Sequence, residues 1–296
     1  MAERPAPEAT TTEEIADALD RLGVRGLRPV AGGDISNAFR ATCSHGECFV
    51  KCVPGGDPRL LPCEATGLAK LRESFAGVVP EVYFVEARFL VLQWLDLRPR
   101  NSSVDAKLGR LLAGMHRRQA TEHGWMEDNF IGRSPQRNLA RTTNWAEFFI
   151  DCRLVPQLRG LHDAGEPEFG DLTDRAAEHC ARVLGKHTPA PSLLHGDLWG
   201  GNAAATAEGE PVIFDPACSY GDRETDLAMC RLFGGFSSDF YRAYEEANPL
   251  APGWQSRMPL YQLYHLLNHA ALFGGLWKVR ALKQVRELAS LERRRH

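Results

Sequence analysis

The chain has 296 residues, enough for two domains or for one fold with two lobes. Hydrophobic residues make up 44% of it and charged residues 25%, proportions that exclude a disordered or fibrous protein. A net charge of −3, from 35 basic and 38 acidic side chains, excludes the basic surface typical of nucleic-acid-binding proteins.

The first hundred residues are predicted to form a small β-rich lobe. Residues 1–10 are rich in Pro, Ala and Glu, so we expect a flexible terminus there. A sequence typical of a helix capping box follows at 11–14. Short apolar runs separated by turn residues then predict five antiparallel strands, at 27–30, 38–42, 48–53, 82–85 and 89–94. Pro62 begins a helix between the third and fourth strands, and the lobe is expected to span residues 11–96.

Beyond residue 97 the pattern becomes helical. Leu108, Leu111, Leu112 and Met115 recur at the spacing of one helix face. Further helices are predicted at 145–158, 176–184, 258–268 and 278–291. Residues 97–296 are therefore expected to form a larger, mainly helical catalytic and substrate-binding lobe, with a ligand in the cleft between the lobes.

The eight cysteines bear on the compartment in which the protein works. None has C-x-x-C spacing, and Cys48 and Cys52 lie too far apart on one predicted strand to form a disulfide. We expect reduced, mostly buried thiols and no metal site among them. No apolar run approaches ~20 residues, and the first residues are polar rather than an apolar leader. We therefore expect a soluble, cytoplasmic protein with no membrane and no nucleic acid as partner.

The strongest chemical signal is H-G-D-L-W-G-G-N at 195–202, followed by F-D-P at 214–216. Phosphoryl transfer from a nucleotide needs metal ions on the phosphates and a carboxylate that accepts the proton of the acceptor hydroxyl. An Asp, an Asn five residues later and a second Asp one hairpin further on meet this need, with the spacing of protein-kinase motifs. Asp197 is therefore predicted to be the catalytic base, and Asn202 and Asp215 to hold Mg²⁺. His195 is interpreted as a brace of this loop through a hydrogen bond, rather than as a proton carrier.

Lys51 is predicted to bind the phosphates of ATP. A lone lysine on a strand usually faces solvent, but this one follows a glycine-containing hairpin and precedes the helix that carries Glu64. That is the position of the lysine that grips the α- and β-phosphates in kinases, with a glutamate orienting it as an ion pair. Glu47 and Glu73 are other acids nearby in the sequence, so the partner of Lys51 stays open between these three.

Two weaker signals point to nucleotide binding. Gly32, Gly33, Ser36 and Asn37 lie in a turn one strand before the lysine, where backbone and side-chain donors would cover the phosphates. The turn does not follow the G-x-G-x-x-G pattern, and a Gly-Gly pair is often only a turn. The backbone of a connector formed by Gln93, Trp94 and Leu95 is predicted to pair with adenine, although ordinary packing explains Trp94 equally well.

Four segments together resemble the fructosamine kinase (ketosamine-3-kinase) family: 193–202, 213–217, 220–221 and F-G-G-F at 233–236. The resemblance extends over nearly the whole chain, from 32–35 to 261–269. That family belongs to the aminoglycoside phosphotransferase-like branch of the protein-kinase-like fold. The resemblance therefore implies an α+β, bilobal protein-kinase-like fold with a small antiparallel β-lobe carrying one helix and a larger, mainly helical lobe.

The resemblance also implies a reaction. ATP would phosphorylate the 3-hydroxyl of the sugar part of a ketosamine, small or protein-linked, and breakdown of the product would free the amine. Asp226 lies where related kinases place an aspartate that accepts backbone N–H bonds from the catalytic loop, which implies a supporting role. Trp199 suits a sugar acceptor because sugar C–H faces stack on aromatic rings, although packing would also explain it.

Two other functions remain open from the sequence. One is a small-molecule kinase of the aminoglycoside or choline type, against which stand Trp199 and the F-G-G-F segment. The other is a catalytically inactive nucleotide-binding module, although all four central residues (Lys51, Asp197, Asn202 and Asp215) are present. Gly196 in place of arginine, with no A-P-E segment, disfavours protein-kinase activity. The preferred sugar, the amine carrier and the oligomeric state cannot be derived from the sequence.

Overall fold

The structure, a computed structural model, describes residues 12–30, 36–75 and 77–290. Within these ranges the chain forms ten α-helices, one five-stranded sheet and three two-stranded ribbons. This confirms the expected α+β class. The terminus 1–10, the first residue of the capping box, and the pair Gly32 and Gly33 lie outside the described residues.

A five-stranded antiparallel sheet forms at every place where the apolar runs predicted a strand. Its strands are β1 (Arg25–Pro29), β2 (Asn37–Cys43), β3 (Gly46–Cys52), β4 (Val82–Val85) and β5 (Phe89–Gln93). Their order across the sheet is β1-β2-β3-β5-β4. Because β3 lies at the centre, Lys51 is paired with β2 on one side and with β5 on the other.

The two faces of β3 are buried against different helices. Cys48, Val50 and Cys52 lie on one face, in an apolar cluster with Ile15 of helix α1 (Thr12–Arg21). Because successive side chains of a strand point to opposite faces, Lys51 lies on the other face of β3. The sheet therefore carries α1 as well as α2, whereas the family resemblance implied one helix in this lobe.

Helix α2 (Leu60–Phe75) connects the sheet to the segment that follows Asp215. It begins two residues before Pro62, which is tolerated because the first helical turn has no intrahelical N–H partners to lose. A Cβ atom at Gly67 would lie 3.2 Å from the Cys218 sulfur and 3.3 Å from the Pro216 ring. The helix that carries Glu64 therefore packs directly on the Asp215 segment.

Most of the remaining chain is helical. The helices are α3 (Ser102–Met115), α4 (Trp145–Phe149), α5 (Val155–Asp163), α6 (Pro167–Leu184), α7 (Glu224–Phe233), α8 (Ser238–Ala247), α9 (Trp254–Phe273) and α10 (Gly275–Ser290). One turn of π-helix at Ile150–Leu154 joins α4 to α5. The helix predicted from the stripe at 108–115 and those predicted over 145–158, 176–184, 258–268 and 278–291 are confirmed with longer or shifted bounds, whereas α7 and α8 were not predicted.

Three short antiparallel ribbons lie between these helices. They pair β6 (Asn129–Ile131) with β7 (Ser134–Gln136), β8 (Ser192–Leu194) with β11 (Ser219–Gly221), and β9 (Ala203–Ala205) with β10 (Pro211–Ile213). The last two ribbons frame the predicted catalytic and metal-binding residues.

One apolar cluster joins the sheet side of the molecule to the helical side. It contains Leu61 and Leu68 of α2 and Leu90 of β5 together with Leu112 of α3 and Leu227 of α7. The division of the chain near residue 96 stays a prediction. All eight cysteines are free and buried, as expected. In the described part of the chain, no helix has the length and apolarity that a membrane span requires.

Candidate active site

Asp197 and Asp215 are brought together by the two ribbons. β8 leads into the loop of Asp197, and the 3₁₀ turn Gly200–Asn202 leads out of it into β9. The chain returns through β10 to Asp215, and the following residues join β11, which pairs with β8. The Phe214 N–H donates to the Asn202 carbonyl at 3.1 Å, so the two loops are also bonded to each other.

Asn202 closes the loop of Asp197. Its Nδ2 donates to the Asp197 backbone oxygen at 2.8 Å and lies 3.3 Å from the carboxylate Oδ2. The loop turns at Gly196, whose φ of 82° is in the left-handed region. A Cβ atom there would lie 2.1 Å from the Ala217 carbonyl oxygen, so only glycine allows the two loops to approach this closely.

Asp226 on α7 is hydrogen-bonded to the backbone of the Asp197 loop. Its two carboxylate oxygens accept the backbone N–H groups of His195 and Gly196, each at 2.8 Å. His116, at the C-terminus of α3, lies 3.1 Å from Asp226 Oδ2 through its Nε2. Burial raises the pKa of Asp226, but the hydrogen bond and charge of His116 outweigh it and hold the pKa below its usual range.

His195 uses both ring nitrogens within the site. Its Nδ1 accepts the Asp197 N–H at 3.3 Å, and its Nε2 lies 3.1 Å from the Phe214 carbonyl oxygen. Burial lowers the pKa of His195, so the ring is neutral near pH 7. An imidazole with both nitrogens engaged fits the predicted bracing role and leaves no nitrogen for a substrate proton.

Lys51 lies between two carboxylates from different parts of the fold. Its Nζ is 2.7 and 2.9 Å from the Glu64 oxygens and 3.0 Å from Asp215 Oδ1. Burial lowers the pKa of Lys51, but the two carboxylates raise it above its ordinary value. Of the three acids considered from the sequence, Glu64 is the one that pairs with Lys51, while Glu47 and Glu73 pair with Arg40 and Lys70.

The site contains more carboxylates than cations. Burial and the nearby charge of Asp215 raise the pKa of Asp197 to about 7. Burial also raises the pKa of Glu64 to about 7, against the lowering effect of Lys51. Burial raises the pKa of Asp215 as well, but Lys51 outweighs it and keeps Asp215 ionised. Three carboxylates facing one ammonium group form a site that favours a divalent cation.

Asn202 and Asp215 fit the ligand chemistry of Mg²⁺. The amide nitrogen of Asn202 is bound to Asp197, which leaves its oxygen as the acceptor. Asp215 is ionised, and its φ of 55° is a conformation that few non-glycine residues adopt. Such strained backbone is concentrated at functional sites. Mg²⁺ prefers a site with few protein oxygens, in which phosphates and waters complete its coordination shell.

The described residues that are predicted to contact the nucleotide lie at the ends of two interior strands, β2 and β5. Ser36 and Asn37 stand at the beginning of β2, where Asn37 is level with Cys52 and Ala38 with Lys51. Gly32 and Gly33 lie outside the described residues. Gln93 ends β5, and Trp94 and Leu95 follow it, half-buried, in the segment that leads towards α3. The guanidinium of Arg40 lies over the Trp94 ring at 4.6 Å, so one ring face is already covered.

Trp199 lies two residues after Asp197 and is 37% exposed. Its ring packs against the backbone of Gly201, where a Cβ atom would lie 2.4 Å from the indole. The Phe233 ring meets it edge-on, with 6.2 Å between the ring centroids. Trp199 is therefore held by its neighbours while part of its surface faces solvent.

Sequence analysis missed a buried ion pair beneath the loop. The Arg100 guanidinium donates to Asp105 at 2.8 Å and to the carbonyls of Gly200, Ala203 and Gly235. The other oxygen of Asp105 accepts the Ser237 N–H at 2.7 Å. The pair thus joins the end of the catalytic loop to the F-G-G-F segment. The only sequence signal is an arginine immediately before the Asn101 cap of α3.

Sequence analysis also missed a buried cluster of side-chain amides that holds the segment after Asp215. Asn129 donates to the Cys218 carbonyl at 2.8 Å. Its oxygen accepts from Gln136 and Asn138, and Arg153 donates to Asn138 at 2.7 Å. The sequence gives no signal for this group, because nothing in one dimension shows that these polar residues are buried together.

The chain is similar to known proteins over nearly its whole length. Residues 8–291 match the family model described as fructosamine kinase. A probable ketoamine kinase of Synechocystis sp. is 36% identical over 291 residues, covering 96% of this chain and 97% of the relative. The crystal structure of a candidate fructosamine-3-kinase from Thermobifida fusca has a TM-score of 0.82 at 32% identity, covering 94% of this chain and 98% of that one.

A more distant likeness confirms the fold. An aminoglycoside phosphotransferase determined with streptomycin and ATP has a TM-score of 0.67 at 13% identity, covering 98% of this chain and 99% of that one. At this identity the likeness shows the protein-kinase-like fold alone. The match of residues 8–291 and the identity to the Synechocystis relative carry the assignment further. On these grounds the chain belongs to the fructosamine kinase family.

Proposed function

We propose that this protein is an ATP-dependent kinase that phosphorylates the 3-hydroxyl of the sugar part of ketosamines, which leads to release of the amine. The observation that carries the proposal is the arrangement of Lys51, Glu64 and Asp215 beside the loop of Asp197. The names of the relatives support a ketosamine as acceptor. The kinase-like neighbour determined with ATP supports ATP as the donor.

Each residue has a distinct part in the proposed transfer. Asp197 accepts the proton of the sugar hydroxyl as its oxygen attacks the γ-phosphorus. Its raised pKa of about 7 makes it a better proton acceptor than an ordinary aspartate. Lys51, oriented by Glu64, binds the α- and β-phosphates, and donors near Ser36 and Asn37 cover them. Trp199 offers its exposed indole surface to the sugar.

Asn202 and Asp215 would hold Mg²⁺. The ion would neutralise charge on the phosphates and on the crowded carboxylates of the site. His195 and Asp226 act indirectly, because they fix the backbone that carries Asp197. We place the reaction in the cytoplasm, where ATP is supplied and where eight buried free thiols remain reduced.

One assay tests the proposal directly. The purified protein is incubated with ATP, Mg²⁺ and 1-deoxyfructosyl and ribulosyl amines, with kanamycin and choline in parallel, and products are identified by ³¹P NMR. We expect a 3-phosphate on the ketosamines only. Asp197→Ala should abolish transfer, whereas Asp171→Ala, at an exposed carboxylate of α6, should not.

Three results would contradict the proposal or one part of it. Transfer only to kanamycin or choline would assign the protein to the aminoglycoside or choline type of kinase. Absence of transfer to any acceptor, with MgATP still bound, would indicate an inactive nucleotide-binding protein. Full activity of Asp197→Ala on a ketosamine would overturn the role of Asp197 but not the choice of substrate.

A further inference from the structure

Aromatic side chains continue from Trp199 across to α9 and α10. The Phe233 ring, edge-on to Trp199, stacks on the His269 imidazole with 4.3 Å between centroids. It also lies 5.5 Å from the Trp277 ring, and Phe273 ends the group at 5.5 Å from His269. These five residues are called the aromatic patch below.

Two members of the aromatic patch are exposed to solvent, and the other three are half-buried. In the described part of the chain, eight large hydrophobic side chains are exposed. Two of them, Trp199 (37%) and Phe273 (45%), belong to the patch, and Leu276 (80%) and Val279 (64%) are exposed on the same helix as Trp277. Two exposed rings at the ends of one connected aromatic group form the kind of apolar surface that marks interaction sites.

The charges around the patch are basic. Helix α9 carries no Asp or Glu among its 20 residues, and α10 carries only Glu287, near its end. The Arg280 guanidinium lies over the Trp277 ring at 5.0 Å and forms no ion pair with any described residue. Burial lowers the pKa of His269, so its ring is neutral near pH 7. Aromatic faces attract one ammonium group, whereas Arg280 repels a carrier with several.

We propose that the aromatic patch binds the amine carrier of the ketosamine and selects carriers that are apolar or aromatic and joined to the sugar through one amine. The inference rests on the proposed function, because Trp199 then holds the sugar. The protonated secondary amine lies where sugar and carrier meet. A carrier that extends past Trp199 reaches Phe233 and Trp277, where ring stacking and apolar burial stabilise it.

The test compares adducts that differ only in the carrier. kcat/KM is measured with MgATP and the 1-deoxyfructosyl adducts of methylamine, benzylamine and spermidine. We expect the benzylamine adduct to be preferred over the methylamine adduct by about tenfold, the effect of one well-packed ring. The spermidine adduct should be the poorest substrate of the three. Phe273→Ala and Trp277→Leu should each lower the ratio of benzylamine to methylamine adduct by about threefold or more.

Leu139→Ala is the matched control, because Leu139 is an exposed apolar residue outside the patch. Its ratio should equal that of the unaltered protein. Melting temperatures are measured for all variants. If both patch variants lose their fold, the unaltered protein still tests the inference. A ratio of benzylamine to methylamine adduct near one overturns it.

The outcomes separate this inference from the proposed function. If no adduct is phosphorylated, the proposed function itself fails. If the methylamine adduct is phosphorylated but the ratio is near one, or spermidine is preferred, only the carrier site is overturned. Sedimentation of the same variants completes the test. A change of oligomeric state at constant ratio would make the patch a contact between copies of the chain, which also overturns the inference.

Discussion

Asp197 owes its proposed role to its surroundings rather than to the carboxyl group itself. It is partly buried, it lies near the charge of Asp215, and Asn202 donates to it. In the proposed reaction, these contacts would hold the carboxylate in place to accept a hydroxyl proton. Among the site residues predicted from sequence, the structure brings Lys51, Glu64 and Asp215 into direct contact.

The first prediction concerns this residue. Asp197→Asn keeps the shape of the side chain but removes the proton acceptor, so we expect kcat on a ketosamine to fall by about 10²–10⁴-fold. The Kd for MgATP, measured by calorimetry, should change little because Lys51 and Asp215 remain. A loss of MgATP binding equal to the loss of kcat would contradict a role confined to the acceptor.

The second prediction concerns His123, which is fully buried against Trp145. Neither ring nitrogen has a partner among the described residues. Burial lowers the pKa of His123 to about 4, although the charge of Asp222 opposes the shift. In the unfolded chain the pKa is about 6.5. As the pH falls through this window the unfolded chain binds a proton that the folded chain does not, so stability falls with the pH.

His123→Phe should therefore stabilise the protein. Removing two unpaired polar atoms is worth about 1–3 kcal/mol near pH 7. The variant should also lose less stability than the unaltered protein between pH 6.5 and pH 4. Urea unfolding at several pH values measures both effects, with His45→Phe, at an exposed histidine, as the control. Equal pH slopes for His123→Phe and the unaltered protein would show that His123 is not the titrating group.

At the scale of the elements, α3 could be predicted and α7 could not. α3 has leucines at helical spacing on one face and an asparagine cap at Asn101. α7 instead buries Glu224 and Asp226, each 1% exposed, at positions that periodicity assigns to solvent. Their burial follows from partners far along the chain, Arg257 and His116. A sequence shows charge but not the pairing that makes buried charge tolerable.

The third prediction concerns the Arg100–Asp105 pair at the beginning of α3. Arg100→Lys keeps the charge but removes the planar guanidinium group, whose N–H groups donate to three carbonyls. The loop of Asp197 should therefore be held less precisely. We expect kcat to fall by about tenfold or more while KM for ATP changes little. Arg110→Lys, at an exposed arginine of α3, should leave both constants unchanged.

A second substitution separates positioning from stability. Asp105→Asn should reduce kcat in the same way, because it removes the charge that orients Arg100. If Arg100 were only structural, the melting temperature would fall and kcat of the folded fraction would be normal. That result would exclude a positioning role.

At the scale of the whole molecule, the sheet and the helices share one apolar cluster. The patterning predicted the strands of the sheet and most of the helices, yet it could not show that Leu68 of α2 packs in one cluster with Leu112 of α3 and Leu227 of α7. Such contacts join residues far apart in sequence, which local periodicity does not record. The boundary proposed near residue 96 therefore need not separate two units that unfold independently.

The fourth prediction follows from this shared core. We expect a single cooperative transition in calorimetry, because neither side can unfold without exposing the common cluster. Leu68→Ala, at a fully buried leucine, should cost about 2–5 kcal/mol and move the whole transition to lower temperature. Leu139→Ala should leave it in place. Two resolved transitions, of which only one moves, would contradict the prediction.

The close approach of α2 to the Asp215 segment at Gly67 affects how such an enzyme could be controlled. Because the helix packs directly on Pro216 and Cys218, a swing that separates Glu64 from Lys51 would break this contact and leave a gap in the packing. We therefore expect an enzyme that is switched on as soon as it folds. Its output would follow the amounts of enzyme and substrate in the cell, rather than a signal that moves this helix.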